Sequence, residues 1–497
     1  MKHARAIRRA LAAALAALLL LPAGCGREQP TVDGPVTLRV LTNAMRSERY
    51  GMHYELNCLI KKYQAEHENV TIELELLPEP GEERETRLEQ LRTEIMAGGG
   101  PDLYVMTPYI EVQLAAHVYN TVLDGGLFPD VEQAMYNGLF YDVSALYDGD
   151  DGLNTEELTA GVMDAGVVDG ARYMLPLRYN YPVVYADRAR LERSGMDVEA
   201  MKSSVTGLFR ELLEHGDTPW FNGGAAVVMR GDPFYLFPRV IDYKTETVQV
   251  TAGELVEFTR QCWEIEERCN AICNGMPSVS MYMVQVGSFP LALPELKDGG
   301  EDPYALRRAP LVVNSFSNAV HTAALARLEG VELEMFPLRC VDGSLSAEIT
   351  WWGAVGAGSG HPETAYDFLR LLLLPESQWD LKRPVRDDAV PGLMASGWPV
   401  RAIGSVEPLW SELTAQLERF RDEGRTKAVL VQTFQDMPMT DGDILPLLTA
   451  EIDGARVPIT VGSEWRMVLN LRDEYRETVD AEAQETIDAL RRHVAEG

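Results

Sequence analysis

The sequence predicts an α/β fold organised around an open, largely parallel sheet, and three observations support this. Between residues 36 and 106, stretches with a period of two alternate with stretches of helical period. The second helical stretch runs into the glycine triplet Gly98 to Gly100, immediately before the third strand-like segment. The strand, loop, helix order then returns near residue 309. Strand, helix, strand, helix, strand implies a sheet with helical cover. In such sheets ligands bind beyond the carboxyl ends of strands, so the loops at Thr42-Asn43 and Thr107-Pro108 are site candidates.

Each element has its own signal. VTLRVLT (36–42) alternates Val36, Leu38 and Val40 against polar partners, as a strand does. YELNCLIKKYQAEH (54–67) places Leu56, Leu59, Ile60 and Tyr63 at helical spacing. VTIELELL (70–77) alternates through Val70, Ile72, Leu74 and Leu76; RLEQLRTEIMAGGG (87–100) is a helix on Leu88, Leu91 and Ile95; PDLYVM (101–106) is the next strand. Residues 171–196 predict a short turn, an extended crossing and a helix start, and 309–328 predict strand, polar loop and helix. GHPETAYDFLRLLLL (360–374) carries Pro362 in a first turn, Glu363 beside it, and Ala365, Phe368, Leu369 and Leu372 on one face. The last fifty residues read as helical.

The amino terminus has the grammar of export. Lys2, Arg5, Arg8 and Arg9 precede an uninterrupted apolar run from Leu11 to Leu21, followed by small residues and Cys25. PAGC resembles a bacterial lipobox, with Pro22 where leucine is usual and Leu21 one place earlier. The expectation is a signal peptide over 1–24, lipidation of Cys25, a flexible tether over 25–35, and a place on the extracytoplasmic face of the cell membrane. Without residues 1–24 the chain has 41 Lys+Arg against 76 Asp+Glu, a formal charge of −35. Such a surface repels nucleic acid and anionic lipid. The length suggests two or three domains.

Five further cysteines form no complete disulfide set. Cys262, Cys269 and Cys273 share a helix face, but no fourth metal ligand accompanies them, and they read as small buried hydrophobes with a disulfide left open.

The order of these features resembles the extracellular solute-binding proteins of ABC importers, in the branch of maltose-binding protein. The resemblance is carried by PAGC, by RLEQLRTEIMAGGGPDLYVM, by YDVSALYD (141–148), by DGARYMLPLRYNYPVVYADRARLERSGM (169–196) and by GSGHPETAYDFLRLLLLPESQ (358–378). Residues 197–308 match poorly. The resemblance implies a two-lobed periplasmic-binding-protein-like fold, each lobe a sheet covered by helices, joined by a hinge. Its expected division is 36–150 and 309–352 for lobe one, 353–356 as hinge crossing, and 151–308 with 357–497 for lobe two. It also implies a monomer that passes a small solute to a membrane permease, and loops at Thr107–Tyr109, Arg178–Tyr181, Asp232–Tyr235 and Asn314–Phe316 that line the cleft.

A sugar presents apolar C–H faces and a rim of hydroxyls, so its site needs flat rings beside hydrogen-bonding groups. The candidate ligand-binding residues are therefore Asn43, Thr107, Tyr109, Arg178, Tyr179, Asn180, Tyr181, Asp232, Phe234, Tyr235, Asn314, Ser315, Phe316, Trp351 and Trp352. Trp351 and Trp352 are neighbours and point to opposite faces if they lie in a strand. No catalytic set, cofactor or metal site is expected. GAVGAGSG (353–360) has neither phosphate-loop spacing nor a nucleophile elbow, because Ala357 stands two residues before Ser359; it reads as a hinge-like loop. The eight histidines include no HExxH. Abundant Asp and Glu leave a hydrolytic pair open, so a lipid-anchored glycan hydrolase stands as the alternative, with a ligand sensor for a membrane partner as another.

Overall fold

The structure is a computed structural model that describes residues 34–46, 51–115, 118–123, 126–215, 240–272, 311–315, 333–344, 347–378, 398–401, 459–461 and 477–496. Its strands are β1 (Val36–Thr42), β2 (Val70–Leu76), β3 (Leu103–Met106), β4 (Tyr109–Ala115), β5 (Val118–Leu123), β6 (Val167–Val168), β7 (Ala171–Arg172) and β8 (Leu175–Asn180). There follow β9 (Pro182–Asp187), β10 (Ile241–Asp242), β11 (Thr247–Val248), β12 (Leu311–Ser315), β13 (Leu333–Pro337), β14 (Ala347–Val355), β15 (Trp398–Pro399) and β16 (Ile459–Val461).

The first sheet has the order β15-β8-β14-β3-β1-β2, with β16 pairing β14. Its β1, β2 and β3 are parallel, as the alternation predicts; Val36 pairs with Val70 and Val40 with Leu103. Between β1 and β2 runs the helix Gly51–Glu66, which buries Met52, Leu56, Leu59, Ile60 and Tyr63 along one stripe. The helix Glu82–Met96 begins five residues before its apolar signal does. Its first turn is Glu82, Glu83 and Glu85, which favour a helix amino terminus electrostatically and give no hydrophobic periodicity. Strand β14, antiparallel to both β3 and β8, is buried along its whole length.

A second, three-stranded sheet has the order β12-β9-β13, all antiparallel. It packs with the helices Val205–His215, Ala252–Ile272 and Val479–Glu496. The last of these buries Val479, Ala483, Ile487, Leu490 and Val494, a spacing of about one residue per turn on a single face.

Buried residues divide into two cores, and the division falls between adjacent residues. Val183 belongs to the first core and Val184 to the second, because successive side chains of β9 point to opposite faces. The chain therefore leaves lobe one at the end of β8 and returns through β13 into β14.

This partition differs from the division expected from the sequence. Residues 153–181 contribute Leu153, Val162, Met174, Leu177 and Tyr181 to the first core, not to lobe two. The helix Pro362–Arg370, placed in lobe two by the sequence, also buries Ala365, Phe368 and Leu369 in the first core. Strands β12 and β13, expected in lobe one, lie in the second sheet.

Residues 353–356 are no hinge. Gly353 pairs with Val105 and Val355 with Leu103 inside the first sheet. The glycines answer to close approach: a Cβ on Gly353 would sit 2.3 Å from Leu369 Cδ1, and one on Gly356 2.4 Å from the Pro101 carbonyl oxygen. Among the described residues no helix is long and apolar enough to cross a membrane.

Candidate functional site

The parallel strands β1, β2 and β3 end at one edge of the first sheet, and that edge faces the crossing into the second lobe. Register shows why. Trp352 pairs with Met106, so β14 residues before Trp352 extend past the carboxyl end of β3. Glu348 pairs with Asn180, which brings the end of β8 to the same place. Asn314 pairs with Val183 and Ser315 with Pro182, so β12 joins them from the second lobe. Asn43, Thr107, Asn180, Tyr181, Asn314, Ser315 and Trp351 are thus gathered around one edge.

Asn43 and Thr107 are bound to each other. Asn43 Nδ2 donates to the Thr107 carbonyl at 2.6 Å, and the Thr107 amide donates back to Asn43 Oδ1 at 2.9 Å. The side chain thereby extends the β1–β3 ladder by one rung beyond the strands and fixes the loop that leads to Tyr109. Asn43 itself is buried, so its evident role is to hold that loop.

Five candidates, Arg178, Tyr179, Tyr181, Trp351 and Trp352, are buried. Arg178 is buried and spends its guanidinium on the Gln378 carbonyl at 3.0 Å and the Ser377 carbonyl at 3.2 Å, with Glu55 at 3.8 Å. It satisfies the carbonyl end of the short helix Pro375–Gln378, a structural task in the first lobe. Trp352 lies in an aromatic cluster, 6.0 Å from Phe128 and 5.7 Å from Phe140, each edge-on. Tyr179 has no exposed surface and stacks at 6.3 Å on Tyr181, itself 1% exposed; both rings are part of the first core. Tyr181→Ala would therefore cost stability as well as any stacking face. Trp351, opposite Arg178, is also buried. The structure describes the backbones of Tyr109, Asn180, Asn314 and Ser315 but not their side chains, and Asp232, Phe234, Tyr235 and Phe316 lie outside the described residues, as does Cys25.

Two features escape the sequence reading. Glu348 is a carboxylate 2% exposed within the otherwise neutral strand β14, at the crossing. A charge inside a buried strand was the available signal. The second is an open groove of about 520 Å³ beyond the carboxyl end of β2, lined by Glu75, Leu76, Pro78, Glu82, Thr86 and Gln90 among others. Its wall is held by an ion-pair ladder: Arg87 donates to Glu75 at 2.6 Å and to Glu94 at 2.9 Å, while Arg39 reaches Glu94 at 3.2 Å. Hydrogen bonding to Arg87 holds the Glu94 carboxyl below its ordinary range.

Ser359 has a structural task. Its hydroxyl donates to Asp102 Oδ1 at 2.7 Å and accepts the His361 amide at 3.1 Å, while Asp102 Oδ2 accepts the Arg39 amide at 2.8 Å. Cys58 and Cys340 are free thiols. Among the described residues no cluster of His, Cys, Asp and Glu is arranged to hold a metal ion.

No protein-family model matches the sequence, and no curated protein matches it. Solved structures do. The sugar-binding protein MalE of Xanthomonas citri is 14% identical with a TM-score of 0.51, covering 93% of this chain and 98% of its own. A de novo designed cysteine esterase is 13% identical at a TM-score of 0.50, with 93% and 98% covered. An extracellular solute-binding protein family 1 member from Alicyclobacillus acidocaldarius is 16% identical at 0.46, with 93% and 99% covered. A sugar binder and a designed esterase share the architecture, so chemistry must be argued from the site. What the likeness establishes is the fold: this chain has the two-lobed α/β fold of the sugar-binding proteins.

Proposed function

We propose that this protein is a membrane-anchored extracellular solute-binding protein that captures an oligosaccharide between its lobes and delivers it to an ABC permease. The observation that carries this reading is the crossing at Val183 and Val184, where one strand serves both cores directly beside the carboxyl edge of the first sheet. A solute bound at that edge touches both lobes only when they close, and its extra contacts in the closed form shift the population toward it. The fold shared with a protein named for sugar binding supports the choice of ligand class. So do the ring candidates that remain on the cleft loops, Tyr109, Phe234, Tyr235 and Phe316, beside the amides Asn180 and Asn314. A surface of charge −35 disfavours anionic solutes at long range, within a screening length of about 8–10 Å.

Binding is preferred over catalysis on the fold shared with a protein named for sugar binding. Anchoring rests on Arg5, Arg8 and Arg9, the apolar run and Cys25. Mass spectrometry of the mature protein should find an acylated Cys25 at its amino terminus, and an unmodified start elsewhere would remove the anchor. For the ligand, a thermal-shift screen of neutral oligosaccharides, amino acids, peptides and polyamines decides. Stabilisation by oligosaccharides is expected, with Phe234→Ala weakening binding by about 1–3 kcal/mol through loss of a stacking face. Stabilisation by a non-sugar alone would end the carbohydrate reading.

A further inference from the structure

One hairpin of the second lobe reaches across to the first. Strands β10 and β11 pair Ile241 with Val248 and Asp242 with Thr247, and Ile241 is rooted in the second core. The tip between them is fixed by Asp242, whose Oδ1 accepts the amides of Lys244 at 3.0 Å and Thr245 at 3.2 Å. That local turn aims two consecutive side chains outward. The Tyr243 hydroxyl donates to Asp130 Oδ2, and Lys244 Nζ donates to Asp169 Oδ1.

Both acceptors belong to lobe one and both are held independently of the hairpin. Asp130 caps the helix Val131–Tyr136 through Oδ1, which accepts the Gln133 amide at 3.0 Å, and Val131 lies in the first core. Asp169 sits at φ +51° and Gly170 at φ +84°, the two left-handed residues of a tight turn that joins β6 to β7. Burial, with the carboxylates of Asp169 and Asp242 nearby, pushes the Tyr136 phenol up. The other face of Tyr243 meets the His493 ring edge-on at 6.5 Å, which braces it from the carboxyl-terminal helix of its own lobe.

We infer that the 241–248 hairpin is an interlobe latch, in which Tyr243 and Lys244 clasp Asp130 and Asp169 and bias the lobes toward the conformation seen here. The consequence for solute capture rests on the proposed binding function; the latch itself does not. A latch of this kind lowers the population of spread conformers before any solute arrives, and so removes part of the conformational cost of binding.

Small-angle scattering of the ligand-free protein tests it. The Tyr243→Phe/Lys244→Ala double variant should have a larger radius of gyration than the parent, and Asp130→Asn, which keeps the helix cap and weakens only one of the two clasps, a smaller change. Lys244→Glu, at an exposed position that does not endanger folding, should spread the lobes by facing Asp169 with like charge. A radius unchanged in both the double variant and Lys244→Glu would overturn the latch. The two readings fail separately. A radius that responds to these variants while no solute in the screen binds keeps the latch and removes the binding function; a solute that binds while the radius ignores them does the reverse.

Discussion

The two cores are built by different means. Lobe one is closed by backbone: β14 is buried along all nine residues, and Gly353 and Gly356 admit a leucine and a carbonyl where a side chain would otherwise stand. Lobe two is closed by side chains, with a three-stranded sheet under helices whose buried residues recur once per turn. The first tolerates neither loss nor gain of volume, because its parts already touch at van der Waals distance. In the second, close approach falls between helices, where a Cβ on Gly207 would sit 2.2 Å from the Ala200 carbonyl oxygen, and stability depends more on apolar stripes and caps.

Core truncation should show the largest effect in both. Phe368→Ala in lobe one is expected to cost about 3–5 kcal/mol and Ile487→Ala in lobe two about 2–5 kcal/mol, read by denaturant unfolding. If the cores are separate cooperative units, calorimetry resolves two transitions and each variant lowers a different one. A single transition lowered equally by both would merge them.

Adding one methyl group separates a buried glycine of lobe one from an exposed one of lobe two. Gly356→Ala meets the Pro101 carbonyl and should destabilise by about 1–3 kcal/mol. Gly253→Ala, in the helix Ala252–Ile272 with nothing within 4 Å, should stabilise by roughly 0.4–1 kcal/mol. Equal signs in the two melting curves would erase the distinction.

A cap comes next. Asp197 accepts the Glu199 amide at 3.0 Å and the Ala200 amide at 3.2 Å at the start of a lobe-two helix, so Asp197→Ala should cost about 0.5–2 kcal/mol. The smallest effect is electrostatic. Arg87 depresses the Glu94 carboxyl below its ordinary 4.5, so this contribution is complete above pH 4.5 and is lost as pH falls through the lowered folded-state value. Glu94→Gln should thus be less stable than the parent at neutral pH, with the gap closing in acid; a gap constant with pH would deny the Arg87 bond this role.

The first five elements of lobe one were readable because their signals are local. Val36, Leu38 and Val40 alternate, and Leu56, Leu59, Ile60 and Tyr63 follow a helical stripe. Gly353 and Gly356 were misread because glycine for a hinge and glycine for close approach look alike in sequence; only Leu369 and Pro101 tell them apart. Arg178 was misread for a related reason. Its neighbours in sequence are aromatic and amide residues, while its partners Ser377 and Gln378 lie some two hundred positions away. Tyr179 and Tyr181 share a face of β8 and its continuation, and nothing local reveals that this face is core. The strand-end rule pointed to Asn43 and Thr107, and the structure binds these two to each other at the carboxyl ends of β1 and β3.

The claim that a solute is clasped between the lobes is tested most directly by small-angle scattering during titration with an oligosaccharide that stabilises the protein in the thermal screen. The account predicts that the radius of gyration falls as the sites fill and levels off at one equivalent. Saturable binding with a constant radius would contradict it, because a solute held by one lobe alone draws nothing together.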